Sequence, residues 1–135
     1  MKSMTKENPI LFAGPVPAGF PSPASDYIEG KLDLNEHLVK HPAATFFVRA
    51  SGDSMTGAGI FHGDILIVDR ALKASDSNVV IASINGEFTV KRLRISDGGI
   101  SLVPENKHHK PIEIKDESDL RIWGVVTYVI HNTVT

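Results

Sequence analysis

The chain contains no cysteine, which removes disulfide frameworks, thiolate nucleophiles and thiolate metal sites from consideration together. That absence fits a reducing compartment and makes cytoplasm the expected location. An excess of charge is missing too: fourteen basic residues stand against sixteen acidic ones, for a formal charge of -2. Phosphate-backbone binding draws on a broad positive field, so direct nucleic-acid binding is not expected. No apolar run approaches the roughly 18 residues that cross a bilayer, which excludes a membrane-spanning helix. Lys2 and Lys6 ahead of Ile10-Leu11-Phe12-Ala13 have the outline of a secretory signal. Gly14-Pro15 breaks that apolar stretch well short of the about 7 to 15 residues such a signal uses.

What is present describes an ordinary folding chain. At 135 residues, 41% hydrophobic and 22% charged, the sequence suits one compact domain with a radius of gyration of roughly 14 Å. Five of the eight prolines (Pro9, Pro15, Pro17, Pro21, Pro23) fall near the start, where they fix φ and remove backbone donors. Residues 1–26 therefore read as an extended N-terminal arm and residues 27–135 as the folded domain. Asp33 or Asn35 is placed to cap one short helix running to about Lys40, where His41-Pro42 stops it.

From Thr45 onward the sequence is a series of short β-branched runs: Thr45 to Arg49, Asp64 to Asp69, Asn78 to Ile84, Glu87 to Ile95, Ile100 to Val103 and Leu120 to Ile130. Asn85-Gly86 is the favoured pair for a two-residue type I′ turn, so its flanking strands should pair antiparallel. Asp64 to Asp69 is apolar on both faces and reads as an interior strand. No helix-strand alternation is visible, so the expected fold class is mostly β, with largely antiparallel strands.

Two positions suggest chemistry. Ser54 lies in Ala50-Ser51-Gly52-Asp53-Ser54-Met55, after a strand and before the glycine-rich Thr56-Gly57-Ala58-Gly59. A serine on such a turn can expose its hydroxyl beside converging backbone N–H groups, as a nucleophile with an oxyanion hole requires. Ser-Gly-Asp-Ser is equally ordinary turn chemistry. Lys91 lies in Glu87-Phe88-Thr89-Val90-Lys91-Arg92-Leu93-Arg94-Ile95, where alternation groups it with Thr89, Leu93 and Ile95. An inward lysine loses hydration of its charged form and becomes a competent general base nearer neutral pH. The competing reading is a solvated lysine in a basic strand.

The histidines give a weaker signal. His37 and His41 have the i, i+4 spacing of two ligands, but no acidic third ligand accompanies them, and no metal or other cofactor is expected. His62, with Asp64 or Asp69 behind it, could be drawn as a triad base for Ser54, but it reads as a loop residue.

Taken in order, Ala50-Ser-Gly-Asp-Ser-Met55, Gly63-Asp-Ile-Leu-Ile-Val-Asp69 and Gly86-Glu-Phe-Thr-Val-Lys-Arg-Leu93 resemble the LexA/UmuD family of self-cleaving serine proteases (peptidase S24). Gly19-Phe20-Pro21-Ser22-Pro23-Ala24 and Asp33-Leu34-Asn35 resemble its UmuD-type mutagenesis proteins, so the likeness runs from about Ala18 to His131. The resemblance implies Ser54 as nucleophile, Lys91 as base and Ala18-Gly19 as the bond cut. The backbone amides of Asp53 and Ser54 are the expected oxyanion donors, on turn geometry alone. It further implies a homodimer, self-cleavage stimulated by a RecA filament on single-stranded DNA in the SOS response, and a trimmed form serving a UmuC-type translesion polymerase. Thirty-six residues from Ala18 to Ser54 reach roughly 120 Å when extended, which permits cleavage within a chain or between two.

Ile122-Trp123-Gly124-Val125-Val126 reads as a core strand by its two-sided apolar pattern, with a dimer surface as the alternative. Two other functions remain open at this stage. One is the dimerisation domain of a LexA-like repressor, although about 18 residues before the cleavage point are too few for a helix-turn-helix. The other is a signal-peptidase-like enzyme, which shares a Ser-Met motif and a lysine base but is membrane anchored.

Overall fold

A computed structural model of the chain describes residues 7–12 and 28–134. It divides into two compact units, Met1–Leu38 and Val39–Thr135. In the first, strand β1 (Ile10–Phe12) pairs antiparallel with β2 (Ile28–Lys31), and the Leu32 N–H donates to the Pro9 carbonyl. Pro9 can accept but has no N–H to donate, and here only its acceptor is used. Part of the segment expected to be a bare extended arm is thus a paired strand. Helix α1 (Leu34–Leu38) follows, ending two residues before the expected Lys40. Asp33 caps it, Oδ1 accepting from the N–H groups of Asn35 and Glu36 at 3.0 and 3.4 Å.

The second unit is a seven-stranded, wholly antiparallel sheet. Its strands are β3 (Thr45–Arg49), β4 (Ile65–Asp69), β5 (Val79–Ile84), β6 (Glu87–Ser96), β7 (Gly99–Val103), β8 (Ile112–Ile114) and β9 (Leu120–Ile130). Across the sheet they run β3-β4-β9-β5-β6-β7-β8. All six expected runs are strands, and the mostly β class holds. The Asn85-Gly86 turn joins β5 to β6 in the expected register, Ile84 opposite Glu87, with φ of 52° and 86° at its two central residues. That backbone is the type I′ turn, which glycine adopts without steric cost.

Alternate side chains of β5 supply two cores. Ile81 joins Ala50, Met55, Ile60, Leu66 and Val68, whereas Val80 and Ala82 join Leu93, Leu102 and Val125. Both faces of the central strands are therefore dry, as the unbroken apolar runs of β4 and β9 require. Trp123 is an extra residue in β9 between its partners on β5, and Thr127 another between its partners on β4. Such bulges increase the local twist. The run 122–126 is a central strand, and Gly124 is essential to its packing: a Cβ there would lie 2.6 Å from Val68 Cγ1 and 3.2 Å from the Asp69 carbonyl oxygen.

Two buried aspartates bracket β4. Asp64 accepts from the Phe61 N–H and pairs with His131; Asp69 accepts from the Ala71 N–H and pairs with His41 Nδ1 at 2.6 Å. Burial opposes ionisation of both carboxyls, but these bonds outweigh it and hold them below the usual carboxylate range.

Gly124→Ala should destabilise the fold by about 1–3 kcal/mol through overpacking, read as a lowered denaturation midpoint; an unchanged midpoint would refute the close packing. Because the folded-state pKa values of Asp64 and Asp69 are depressed, their contribution is complete above the ordinary carboxyl value of about 3.9 and is lost as pH falls through the lower folded values. Acid titration followed by circular dichroism should show stability falling in that window, with a shallower fall in Asp69→Asn.

Candidate active site

Ser54 sits in the loop between β3 and β4. Its neighbour Met55 is 2% exposed and packs into the first core, so the loop is pinned from beneath while Ser54 itself stays half-buried. Residues Thr56–Ala58 form a single 3-10 turn rather than irregular coil. Above the loop runs the segment that leaves β7. The Glu105 N–H donates to the Ser54 carbonyl at 2.8 Å, and the Gly57 N–H donates to the Glu105 carbonyl at 2.7 Å. This crossing is so close that a Cβ on Gly57 would lie 2.5 Å from the Glu105 carbonyl oxygen. Asn106 Nδ2 donates to the Asp53 carbonyl at 2.8 Å, and His109 Nε2 contacts Asp53 Oδ1 at 2.7 Å. His109 holds the exposed Asp53 carboxyl below its usual range.

Lys91 comes from the middle of β6, opposite Val80. Its Nζ lies 3.1 Å from Ser54 Oγ, 2.6 Å from Thr89 Oγ1 and 3.2 Å from the Val90 carbonyl oxygen. Partial burial lowers its pKa from the usual lysine value, because the charged form loses hydration. The alternation expected for β6 is not seen in its burial: Thr89, Val90, Lys91 and Arg92 are all half-buried, Leu93 is buried, and Ile95, grouped with Lys91 by the period, is exposed. Thr89 was legible as a neighbour of Lys91 from the two-residue spacing alone.

The structure therefore brings Ser54 and Lys91, thirty-seven residues apart, into hydrogen-bonding contact. They line a cleft of about 270 Å³ whose wall mixes apolar side chains (Val48, Leu66, Ile81, Phe88, Val90) with polar ones (Arg49, Ser51, Thr89). Among the described residues, the Ser54 N–H donates to no backbone carbonyl, whereas the Asp53 N–H faces its own carboxylate. Ala18 and Gly19 lie outside the described residues.

His62 is not placed as a base for Ser54: its Nδ1 accepts from the Gly52 N–H at 3.1 Å. Asp64 and Asp69, the other members of that alternative, are engaged by His131 and His41. No described cluster of three His, Cys, Asp or Glu side chains could hold a metal ion, and no described helix is long and apolar enough to cross a membrane. The contacts from Glu105, Asn106 and His109 had no signal in the sequence, since they join two loops far apart in the chain.

A model of the Peptidase S24-like family matches residues 9–127. Protein SamA of Salmonella typhimurium is 50% identical over 123 residues, covering 91% of this chain and 85% of its own length. Protein ImpA of Escherichia coli is 51% identical over 127 residues, covering 91% of this chain and 83% of its own. The LexA repressor of Oleidesulfovibrio alaskensis is 46% identical over 117 residues, 87% of this chain but 56% of the repressor. With the family match spanning nearly the whole sequence and half of all aligned positions shared with such relatives, the chain belongs to the Peptidase S24-like family of serine peptidases, as a UmuD-type member.

Proposed function

We propose that the chain is a self-cleaving serine endopeptidase in which Ser54 attacks the Ala18 carbonyl and Lys91 serves as general base. The observation that carries this reading is the environment of Lys91 Nζ. A neutral amine has two N–H groups and one lone pair. Thr89 Oγ1 and the Val90 carbonyl are placed to take the two N–H groups, and Ser54 Oγ, 3.1 Å away, is left facing the lone pair. Partial burial favours that neutral form.

The reaction is acyl transfer. Neutral Lys91 takes the Ser54 proton as Oγ bonds to the Ala18 carbonyl carbon, and the oxyanion that forms is met by the N–H groups of Asp53 and Ser54. The C–N bond to Gly19 breaks, and the Lys91 ammonium returns its proton to the departing amine. Water, deprotonated by the same lysine, then hydrolyses the acyl-enzyme.

In the biological reading, which rests on the UmuD-type likeness, a RecA filament on single-stranded DNA stimulates this cleavage. The trimmed chain, as a homodimer, then assists a UmuC-type polymerase in error-prone translesion synthesis. The likeness to a LexA repressor carries a second reading, the dimerisation domain of a LexA-like transcription repressor, in a form that has lost cleavage. Self-cleavage separates the two.

Purified full-length chain at mildly alkaline pH should lose residues 1–18, seen as a single mass step. The rate should rise with pH and level off above the depressed Lys91 pKa, because only the neutral amine is active. Ser54→Ala and Lys91→Ala should each lower the rate by about 10³-fold or more, and persistence of the step in either variant would reject the dyad. Thr89→Val removes one of the amine's acceptors and should slow cleavage about tenfold, from a hydrogen bond worth about 1–1.5 kcal/mol; an unchanged rate would show that Thr89 does not orient Nζ.

A further inference from the structure

Serine at a nucleophilic position needs more than a base, because the N–H groups beside it must point at the place where negative charge develops. The Ser54 loop cannot ensure this alone. Its internal bond from the Thr56 N–H to the Asp53 carbonyl is 3.4 Å long, at the weak end of the range. The stronger restraint on that carbonyl comes from Asn106, whose Nδ2 donates to it at 2.8 Å. The orientation of the amide follows from its other end: Asn106 Oδ1 accepts from the His108 N–H at 2.9 Å, and a backbone N–H can only donate, so Nδ2 must face Asp53.

A trans peptide is a rigid plane with its C=O and N–H on opposite sides. Fixing the Asp53 carbonyl oxygen therefore fixes the direction of the Ser54 N–H. The next peptide is held from the same segment, by the Glu105 N–H on the Ser54 carbonyl. Both planes flanking the Ser54 Cα are thus set by two consecutive residues that are distant in sequence.

We propose that Asn106 is a positioning residue: by holding the Asp53–Ser54 peptide, it aims the Ser54 N–H at the developing oxyanion. The proposal rests on the Ser54–Lys91 reading above. Asn106 makes no hydrogen bond to Lys91 or to the Ser54 hydroxyl, so its effect should appear in rate and not in the ionisation of the base.

The test uses the full chain with Asn106→Ala, which removes the donor, and Asn106→Asp, which sets a carboxylate against the Asp53 carbonyl at almost unchanged volume. Self-cleavage is followed by intact mass from neutral to alkaline pH, Ser54 labelling by a fluorophosphonate whose phosphoryl oxygen needs the same donor, and folding by thermal melting. Both variants should lose on the order of 10- to 100-fold in cleavage and in labelling, Asp more than Ala. The pH midpoint and melting temperature should stay at their wild-type values. Wild-type rates in either variant, a displaced pH midpoint, or a loss that follows a lowered melting temperature would each overturn the proposal. Ser54→Ala run in parallel separates the two levels: if it still cleaves, the dyad itself fails, whereas a silent Ser54→Ala beside fully active Asn106 variants rejects Asn106 alone.

Discussion

A lysine side chain held partly out of water beside a serine hydroxyl is the constraint around which this protein is organised. An exposed lysine would be almost wholly protonated near neutral pH, with no lone pair to offer. A fully buried one would be expensive to keep wherever it remained charged. Lys91 stands between these limits: its stem lies in the cleft wall, and its amine meets three oxygen atoms within 3.2 Å. Among the described residues no carboxylate pairs with it, and loss of hydration sets the direction of its shift. A carboxylate beside it would favour the ammonium instead.

The strand that carries Lys91 also braces the loop that carries Ser54. Arg92, the next residue, donates to the Ser77 carbonyl at 2.6 Å and reaches Glu105 Oε1 at 3.5 Å. Glu105 in turn holds the Ser54 carbonyl through its N–H. Serine and lysine are thus linked through a side-chain bridge from Arg92 to Glu105 followed by a backbone bond from Glu105 to Ser54. The cleft beside them offers both apolar contacts, from Val48, Leu66, Ile81 and Val90, and polar ones, from Ser51 and Thr89, to whatever segment enters it.

Much of this was legible in the sequence because it is local. The Asn85-Gly86 turn needs only two residues to declare itself, the doubly apolar run through Asp69 marks an interior strand, and period-two alternation places Thr89 beside Lys91. What escaped notice is short or distant. Ile112–Ile114 follows Pro111 and is too brief to carry a period, yet it forms the far edge of the sheet. Ile10–Phe12 finds a partner only after fifteen intervening residues. The segment that steadies Ser54 works through main-chain atoms and one amide, and Pro-Glu-Asn-Lys looks like any surface turn. The meeting of Ser54 with Lys91 was reachable through family likeness, and through no periodicity of either segment.

The sheet order has one more implication. The loop after β3 and the body of β6 belong to opposite halves of the sheet, and β9 alone is hydrogen-bonded to both. The halves that carry Ser54 and Lys91 are therefore stitched into one sheet by a strand that lies far along the chain from both of its partners, Ile65 opposite Ile130 and Val80 opposite Val125, so the site's geometry waits on the most distant strand pairings of the sheet.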